Sequence, residues 1–339
     1  MSLYNPRNLL ITGGAGFIGC HFVRHMLHTD PQVRIVTLDL LTYAGSLANL
    51  QALPDPHRHT FVQGDICDRA LVARLLREHT IDTIVHFAAE SHVDRSIAKP
   101  AMFMQTNVLG TFALLEVARL FWLQDHRWGA DACRFHHIST DEVYGSLGPN
   151  DPPFRETTPY APNSPYAASK AASDHMVRAY YHTYGLPTTV SSCSNNYGPC
   201  QHEEKFIPTI LRSCLGGKPI PVYGDGSNVR DWLYVEDHCT GIEAVIRRGR
   251  VGESYNIGGS NGWKNLDIVH LICAVLAELT GQPVEQFTRL IHFVPDRPGH
   301  DWRYAINATK MRNEVGWSPA EPFEKGIRKT VEWYLEIWK

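Results

Sequence analysis

Residues 8–19 read NLLITGGAGFIG, an apolar strand pattern that runs into glycines with G-x-x-G-x-x-G spacing. Glycines at this spacing let the backbone turn tightly at the start of a helix, whose free N–H groups bind a pyrophosphate. The stretch therefore predicts a dinucleotide-binding turn. The predicted cofactor contacts here are Gly13, Gly16, Phe17, Ile18 and Gly19.

The next predicted strand, residues 34–38, ends at Asp39, which lies 20 residues after Gly19. A carboxylate at this position accepts hydrogen bonds from the adenosine ribose and repels a 2′-phosphate. Since no arginine follows in residues 40–42, the sequence favours NAD over NADP.

Short apolar strands alternate with helical patterns through the first half of the chain, with further strands at residues 60–62, 83–87 and 135–138. This alternation predicts an α/β fold, a Rossmann-type doubly wound parallel sheet. Residues 188–190 and 255–257 also have strand patterns that fit a return to this sheet. We expect an NAD-binding domain over residues 1–200, with returning strands from about 230–260. A smaller mixed α/β substrate-binding lobe over residues 201–339 is expected to be interleaved with it.

Polar or small residues follow these strands, at the sheet edge where α/β proteins bind ligands. Asp65 and Ile66 are expected near the adenine. Phe87, Ala88, Ala89 and Ser91 are expected near the nicotinamide-side ribose.

Composition narrows the class of partner. A net charge of -3 gives no basic field for nucleic acid. No apolar run approaches the roughly 18 residues of a membrane span, and no signal-type segment opens the chain, so we expect a cytoplasmic protein. The eight cysteines form no C-x-x-C pair, and His21 and His25 lack a third ligand, so neither disulfides nor a metal site is predicted.

Two long helical patterns cover residues 102–125 and 165–183. Amphipathic helices of this length can pack against copies of themselves, which predicts a homodimer through a four-helix bundle. Burial of both helices within one chain is the alternative.

The second helix carries Tyr166 and Lys170, four residues apart and so on one face. An ammonium near a phenol favours the phenolate, which makes tyrosine a base toward a sugar hydroxyl. Thr140, at the end of a strand, can share a hydrogen bond with that hydroxyl.

Asp141 and Glu142 follow Thr140 at the same sheet edge. Dehydration requires such a pair, because one carboxylic acid protonates the leaving hydroxyl while one carboxylate removes a carbon-bound proton. A solvated acidic turn is the alternative interpretation if the glycine turn and the tyrosine pair are disregarded.

Together, the glycine turn and the Y-x-x-x-K pair resemble the extended short-chain dehydrogenase/reductase superfamily. Within it, STDEVYG at residues 139–145 resembles the active-site signature of dTDP-glucose 4,6-dehydratases. The resemblance runs from residue 9 to residue 333, and its other motifs occupy residues 87–96, 164–170, 193–199, 230–235 and 296–301.

The resemblance implies that Tyr166 takes the C4 hydroxyl proton as hydride passes to NAD. Glu142 then removes the C5 proton, Asp141 protonates the C6 hydroxyl, and the hydride returns to C6. It adds Thr106 and Asn196 to the cofactor contacts. The implied substrate contacts are Ser91, Thr140, Asn195, Lys205, Phe206, Pro221, Val222, Tyr223, Arg230, Asn265, Arg297 and His300. Among these, Phe206 stands where the family often has leucine.

Several alternatives share part of this pattern. A UDP-sugar 4-epimerase shares the turn, tyrosine and lysine but needs no acid pair, and a UDP-glucose 4,6-dehydratase would differ only in the base. GDP-mannose dehydratases usually use NADP, which Asp39 disfavours. A catalytically silent NAD-sensing scaffold is the non-enzyme alternative, and such proteins commonly lose the tyrosine or lysine.

Overall fold

The computed structural model describes residues 3–296 and 300–338. Its strands are β1 (Asn8–Thr12), β2 (Arg34–Asp39), β3 (His59–Gln63), β4 (Thr83–His86), β5 (Arg134–Thr140), β6 (Thr188–Cys193), β7 (Asn195–Tyr197), β8 (Ile220–Tyr223), β9 (Val229–Tyr234), β10 (Ser254–Ile257), β11 (Gly262–Lys264) and β12 (Ile291–Val294). Its α-helices are α1 (Phe17–Thr29), α2 (Arg69–Glu78), α3 (Val93–Ala98), α4 (Pro100–Phe103), α5 (Thr111–Ala118), α6 (Pro165–Tyr184), α7 (Phe206–Leu215), α8 (Val235–Arg248), α9 (Asn265–Thr280), α10 (Glu285–Thr288) and α11 (Phe323–Ile337).

The main sheet has seven strands in the order β10-β6-β5-β4-β1-β2-β3, and each neighbouring pair is parallel. This order confirms the predicted Rossmann-type doubly wound sheet. The order reverses between β1 and β4, and the crevice at such a switch point is where these sheets bind ligands.

Strand β1 is buried on both faces, as a central parallel strand must be. Leu9 and Ile11 belong to an apolar cluster shared with α1 and α8, whereas Leu10 points to a second cluster shared with α2, α5 and α6. Successive side chains alternate across the sheet, so one continuous apolar run fills two cores.

The predicted helix at residues 102–125 is confirmed as part of one helix spanning Pro100–Asp125. It consists of α4 and α5 with π-helical turns after each, Met104–Gly110 and Arg119–Asp125. By length and hydropathy this helix also satisfies the criteria for a membrane span, and 56% of its apolar window is buried inside the molecule. It packs on α2 and α6, which is the arrangement of a core helix.

The second predicted long helix is confirmed as α6. Ser164 caps it by accepting a hydrogen bond from the Ala167 N–H at 3.1 Å, and Pro165 occupies the first turn.

Two small sheets, β11-β9-β7 and the parallel pair β12-β8, consist of strands beyond residue 200 together with β7, which lies just before it. A third apolar cluster joins them to α7, α9 and α11. Strands β6 and β10 lie in the main sheet. The division of the chain into domains at residue 200 stays a prediction.

Candidate active site

A cleft of about 740 Å³ opens at the carboxyl edge of the main sheet, across the point where the strand order reverses. Because parallel strands all end at this edge, residues distant in sequence meet here. The predicted catalytic and cofactor residues that line the cleft are Gly13, Gly16, Phe17, Ile18, Gly19, Asp39, Asp65, Ile66, Phe87, Ala88, Ala89, Ser91, Thr106, Thr140, Asp141, Glu142, Tyr166, Lys170 and Asn196.

The glycine turn leaves room for a ligand that side chains would fill. Gly13 has φ +71°, and a Cβ there would lie 2.6 Å from the backbone nitrogen of Ala88. A Cβ on Gly19 would lie 2.3 Å from the Gly13 carbonyl oxygen. Gly16 caps α1 without a side-chain hydrogen bond, so the first N–H groups of the helix stay available to an anion. These features fit a dinucleotide pyrophosphate.

Asp39 ends β2 beside the turn. Its Oδ2 accepts a hydrogen bond from the Ala15 N–H at 2.9 Å, and its Oδ1 accepts one from the Leu41 N–H at 2.8 Å. Each carboxylate oxygen has a second lone pair, so ribose hydroxyls can still donate to it. The fixed carboxylate at the end of β2 fits NAD, and its contact with the adenosine ribose stays a prediction.

Asp141 and Glu142 begin a 3₁₀ turn, Asp141–Tyr144, directly after β5. The Thr140 Oγ1 caps this turn by accepting from the Glu142 N–H at 3.3 Å. Asp141 is 2% exposed, and burial raises its pKa well above the usual range, with the Glu142 charge raising it further. Within residues 3–296 and 300–338, the Asp141 Oδ2 has no hydrogen-bond partner. The protonated acid is therefore favoured in a position facing the cleft.

Tyr166 and Lys170 lie one turn apart on the buried face of α6. Burial raises the pKa of Tyr166 well above its ordinary value, the Glu142 charge adds to this, and the hydrogen bond with Thr140 opposes it. The Lys170 Nζ donates to the Ile138 carbonyl at 2.7 Å, and burial lowers the pKa of Lys170 to about 8. That Lys170 favours the Tyr166 phenolate stays a prediction, because burial is the largest influence on the phenol.

Asp174 continues the same helix face, four residues beyond Lys170, and sequence reasoning missed it. Its Oδ2 accepts from the Ser139 hydroxyl at 2.6 Å and from the Tyr160 hydroxyl at 3.0 Å. Its Oδ1 lies 3.2 Å from the Nε2 of His137. The charge of Asp174 raises the pKa of Lys170 against the effect of burial. Extending the i, i+4 spacing by one step would have found it.

The predicted substrate residues fall into two groups. Ser91, Thr140, Asn195 and Lys205 line the cleft. Outside its lining lie Phe206, Pro221, Val222, Tyr223, Arg230, Asn265 and His300, and Arg297 falls outside the described residues.

Arg230 is buried, and its guanidinium donates to backbone carbonyls. One nitrogen donates to Val229 and Trp302, and the other donates to Asp301 at 2.8 Å. Val222 is buried in the apolar cluster below the small sheets, so only its backbone can reach a ligand. Tyr223, in contrast, is exposed, and its ring centroid lies 6.1 Å from that of His300.

In one wall of the cleft, sequence reasoning predicted Ser91 and Lys205 but missed Tyr43 and His202. Tyr43 lines the cleft, and the Arg95 guanidinium lies 3.6 Å from the centroid of its ring. The Ser91 hydroxyl lies 3.4 Å from the Tyr43 hydroxyl. His202 meets the edge of the Tyr43 ring, and Lys205 donates across the cleft to the Ser91 carbonyl at 3.2 Å. Ser91 and Arg95 belong to the motif at residues 87–96, whereas the positions of Tyr43 and His202 depend on tertiary contacts that no local motif indicates.

One cluster of thiols lies near the cleft. Cys20, His21 and Cys200 place one side-chain ligand atom each within 4.8 Å of the others. All eight cysteines are free thiols in this structure. The expectation of no metal site stays a prediction.

Comparison with known proteins identifies close relatives. A family model described as GDP-mannose 4,6 dehydratase matches residues 10–330. The chain is 56% identical to a dTDP-glucose 4,6-dehydratase of Xanthomonas campestris pv. campestris, with 96% of this chain and 92% of that protein covered. It is 54% identical to the dTDP-glucose 4,6-dehydratase of Neisseria meningitidis, with 97% and 94% covered.

A solved structure gives the same result. The dTDP-glucose 4,6-dehydratase of Streptomyces venezuelae, crystallised with NAD, superimposes with a TM-score of 0.87 at 47% identity, covering 97% of each chain.

Proposed function

This chain belongs to the dTDP-glucose 4,6-dehydratases. We propose that the acid pair Asp141 and Glu142, together with Tyr166 and Lys170, carries out the dehydration in the cleft. The protein is an NAD-dependent sugar-nucleotide 4,6-dehydratase that converts dTDP-glucose to dTDP-4-keto-6-deoxyglucose for deoxysugar biosynthesis. A hydride leaves C4 and returns to C6, and bound NAD supplies that chemistry.

Tyr166 accepts the C4 hydroxyl proton in the first step. Thr140, at the end of β5, lowers the pKa of this phenol through hydrogen bonding and so favours its role as a base. Burial disfavours the phenolate in the free cleft, and the positive charge of an oxidised nicotinamide bound in the cleft would oppose that effect. The Lys170 ammonium donates to the Ile138 carbonyl of β5, and this bond positions the face of α6 that carries Tyr166.

The 4-ketone formed in this way acidifies the C5 proton, and the acid pair then completes the elimination. Glu142 removes the C5 proton while Asp141 protonates the departing C6 hydroxyl. The roles differ because Asp141 is buried and favoured in its protonated form, whereas Glu142, which also lines the cleft, is half-buried.

The observation that carries this proposal is the position of Asp141. It is a buried carboxyl with a raised pKa and an unpartnered oxygen among the described residues, and it lines the same cleft as Tyr166 and the glycine turn. A 4-epimerase has no step for such an acid, which separates the dehydratase from the epimerase alternative.

The nucleotide is proposed to run from the cleft toward the small sheets. Asn195 and Lys205 lie in the cleft, and the Asn195 Oδ1 has no partner within the described chain. Arg230, a proposed diphosphate contact, would exchange a carbonyl partner for a phosphate oxygen, which a guanidinium binds more strongly.

We also propose that the chain forms a cytoplasmic homodimer through helix Pro100–Asp125 and α6, as a four-helix bundle. Met104 and Leu109 are each 50% exposed on that helix. Exposed apolar residues on a long helix favour burial against a second copy.

Substrate incubation tests the function. The purified protein is incubated separately with dTDP-glucose, UDP-glucose and GDP-mannose, without added NAD, and the products are separated by chromatography and mass spectrometry. We expect a 4-keto-6-deoxy product from dTDP-glucose. Isomerisation of UDP-glucose to its 4-epimer, with no loss of water from any substrate, would contradict the proposal.

A further inference from the structure

Two cysteines 180 positions apart in sequence meet beside the cofactor cleft. Cys20 follows the last glycine of the turn and is fully buried in α1, whereas Cys200 lies in the segment after β7 and is part-exposed. Their sulfur atoms lie within 4.8 Å of each other and of a ring nitrogen of His21.

Neighbouring contacts hold Cys200 in this position. The Nε2 of His21 is 3.0 Å from the Pro199 carbonyl oxygen, on one side of Cys200. On the other side, the Tyr334 hydroxyl donates to the Gln201 carbonyl at 2.5 Å, and the Gln201 side chain donates to the Asn196 carbonyl. Both flanks are therefore fixed, which keeps the thiol against α1.

We propose that Cys200 and Cys20 form a disulfide when the protein meets a peroxide, with Cys200 as the site of attack and Cys20 as the resolving thiol. An accessible thiolate next to a second thiol is the arrangement that oxidises reversibly. Interaction with Cys20 lowers the pKa of Cys200, with a smaller contribution from His21, and the same interaction raises the pKa of Cys20.

The chemistry proceeds in two steps. The Cys200 thiolate attacks one oxygen of the peroxide, so that an S–O bond forms, the O–O bond breaks and the second oxygen leaves as hydroxide. The Cys20 sulfur then attacks the Cys200 sulfenic acid, so that the S–S bond forms and the hydroxyl leaves as water with the thiol proton. Two thiols are oxidised, and one peroxide is reduced to two waters.

The disulfide would link the two sides of the cleft. Helix α1 carries the glycine turn, and the segment after Cys200 carries Gln201, His202 and Lys205 in the opposite wall.

The test uses the whole protein as purified. It is treated with hydrogen peroxide, its remaining thiols are alkylated, and intact mass and non-reduced peptide maps are recorded. We expect one Cys20–Cys200 crosslink, a loss of two hydrogens and six alkylated cysteines of the eight. Cys200→Ser should abolish the crosslink.

Cys67 offers a matched control, since it is also part-exposed but its sulfur contacts Gln105. Burial raises the pKa of Cys67, so Cys200 should oxidise at least about tenfold faster, and Cys67→Ser should leave the crosslink yield unchanged. In Cys20→Ser, the Cys200 sulfenic acid should persist and be trapped by dimedone.

Overoxidation of Cys200 without a link to Cys20 would overturn the proposal. A metal ion that is detected in the native mass spectrum and protects Cys20, His21 and Cys200 from peroxide would also overturn it. Because the crosslink is mapped in the unaltered chain, these outcomes do not depend on the folding of any variant.

Discussion

Replacing Asp141 by asparagine tests the acid step directly. The amide has nearly the same shape as the protonated carboxyl and can occupy the same buried site at the end of β5, but it cannot donate a proton to the C6 hydroxyl. General acid catalysis contributes about 10²- to 10⁴-fold to a rate. Because Asp141 is 2% exposed, water cannot readily replace it, and we expect the upper half of that range. A loss of about 10³- to 10⁴-fold in kcat corresponds to about 4–5 kcal/mol of transition-state stabilisation.

The same substitution has a predictable effect on stability. The folded-state pKa of Asp141 is raised by burial, so the wild-type protein loses stability as pH rises above the unfolded value near 4 toward the folded value. Asp141→Asn has no such ionisation. Its Tm should therefore equal or exceed that of the wild type at neutral pH and fall less steeply as pH rises.

Two assays separate these effects. Product formation is followed by mass spectrometry, and oxidation at C4 is followed by the absorbance of NADH in a single turnover. We expect Asp141→Asn to form NADH at nearly the wild-type rate and then to accumulate it. Asp82→Asn is the control, because Asp82 is a half-buried aspartate whose pKa is also raised by burial but lies at the opposite edge of the sheet, where it accepts from the Arg7 and Asn8 backbone N–H groups. Its kcat should be unchanged. Product formation by Asp141→Asn at the wild-type rate would refute the reasoning.

Three further substitutions test other parts of the account. Gly13→Ala places a Cβ 2.6 Å from the Ala88 nitrogen at a residue with φ +71°. It should lower the free energy of unfolding by roughly 1–3 kcal/mol, measured by thermal unfolding, and lower the NAD content of the purified protein. Unchanged NAD content would contradict the assignment of this turn to the cofactor. Asp174→Asn removes a charge that opposes the effect of burial and helps keep the pKa of Lys170 at about 8, so the Lys170 limb of the kcat/KM profile should move by roughly one unit to lower pH, and a fixed limb would exclude the coupling. Leu109→Lys puts a charge on the exposed face of helix Pro100–Asp125 and should yield monomers in sedimentation velocity, whereas an intact dimer would place the interface elsewhere.

The fold was predictable because its signals are local. Leu9, Leu10 and Ile11 form an uninterrupted apolar run because β1 is buried on both faces, and the glycine spacing reports the turn that follows. Helix geometry likewise brings Tyr166 and Lys170 to one face, because they are four residues apart.

What the sequence did not predict depends on contacts between distant segments. Arg230 has the chemistry of a phosphate ligand, yet its guanidinium meets the carbonyls of Asp301 and Trp302, about 70 residues away. The cysteine spacing shows no C-x-x-C pair and so predicts no disulfide, whereas folding brings Cys20 close to Cys200. The spacing of residues along the sequence cannot reveal such long-range contacts, because the whole fold determines which distant segments meet.

The central claim is that Glu142 and Asp141 act on one hexose already oxidised at C4. Turnover of dTDP-glucose in deuterium oxide, followed by NMR of the product, tests it most directly. The wild-type protein should place one deuteron at C5, and Glu142→Gln should form NADH but leave C5 fully protiated and release no water. Deuterium at C5 in Glu142→Gln at the wild-type level would contradict the account.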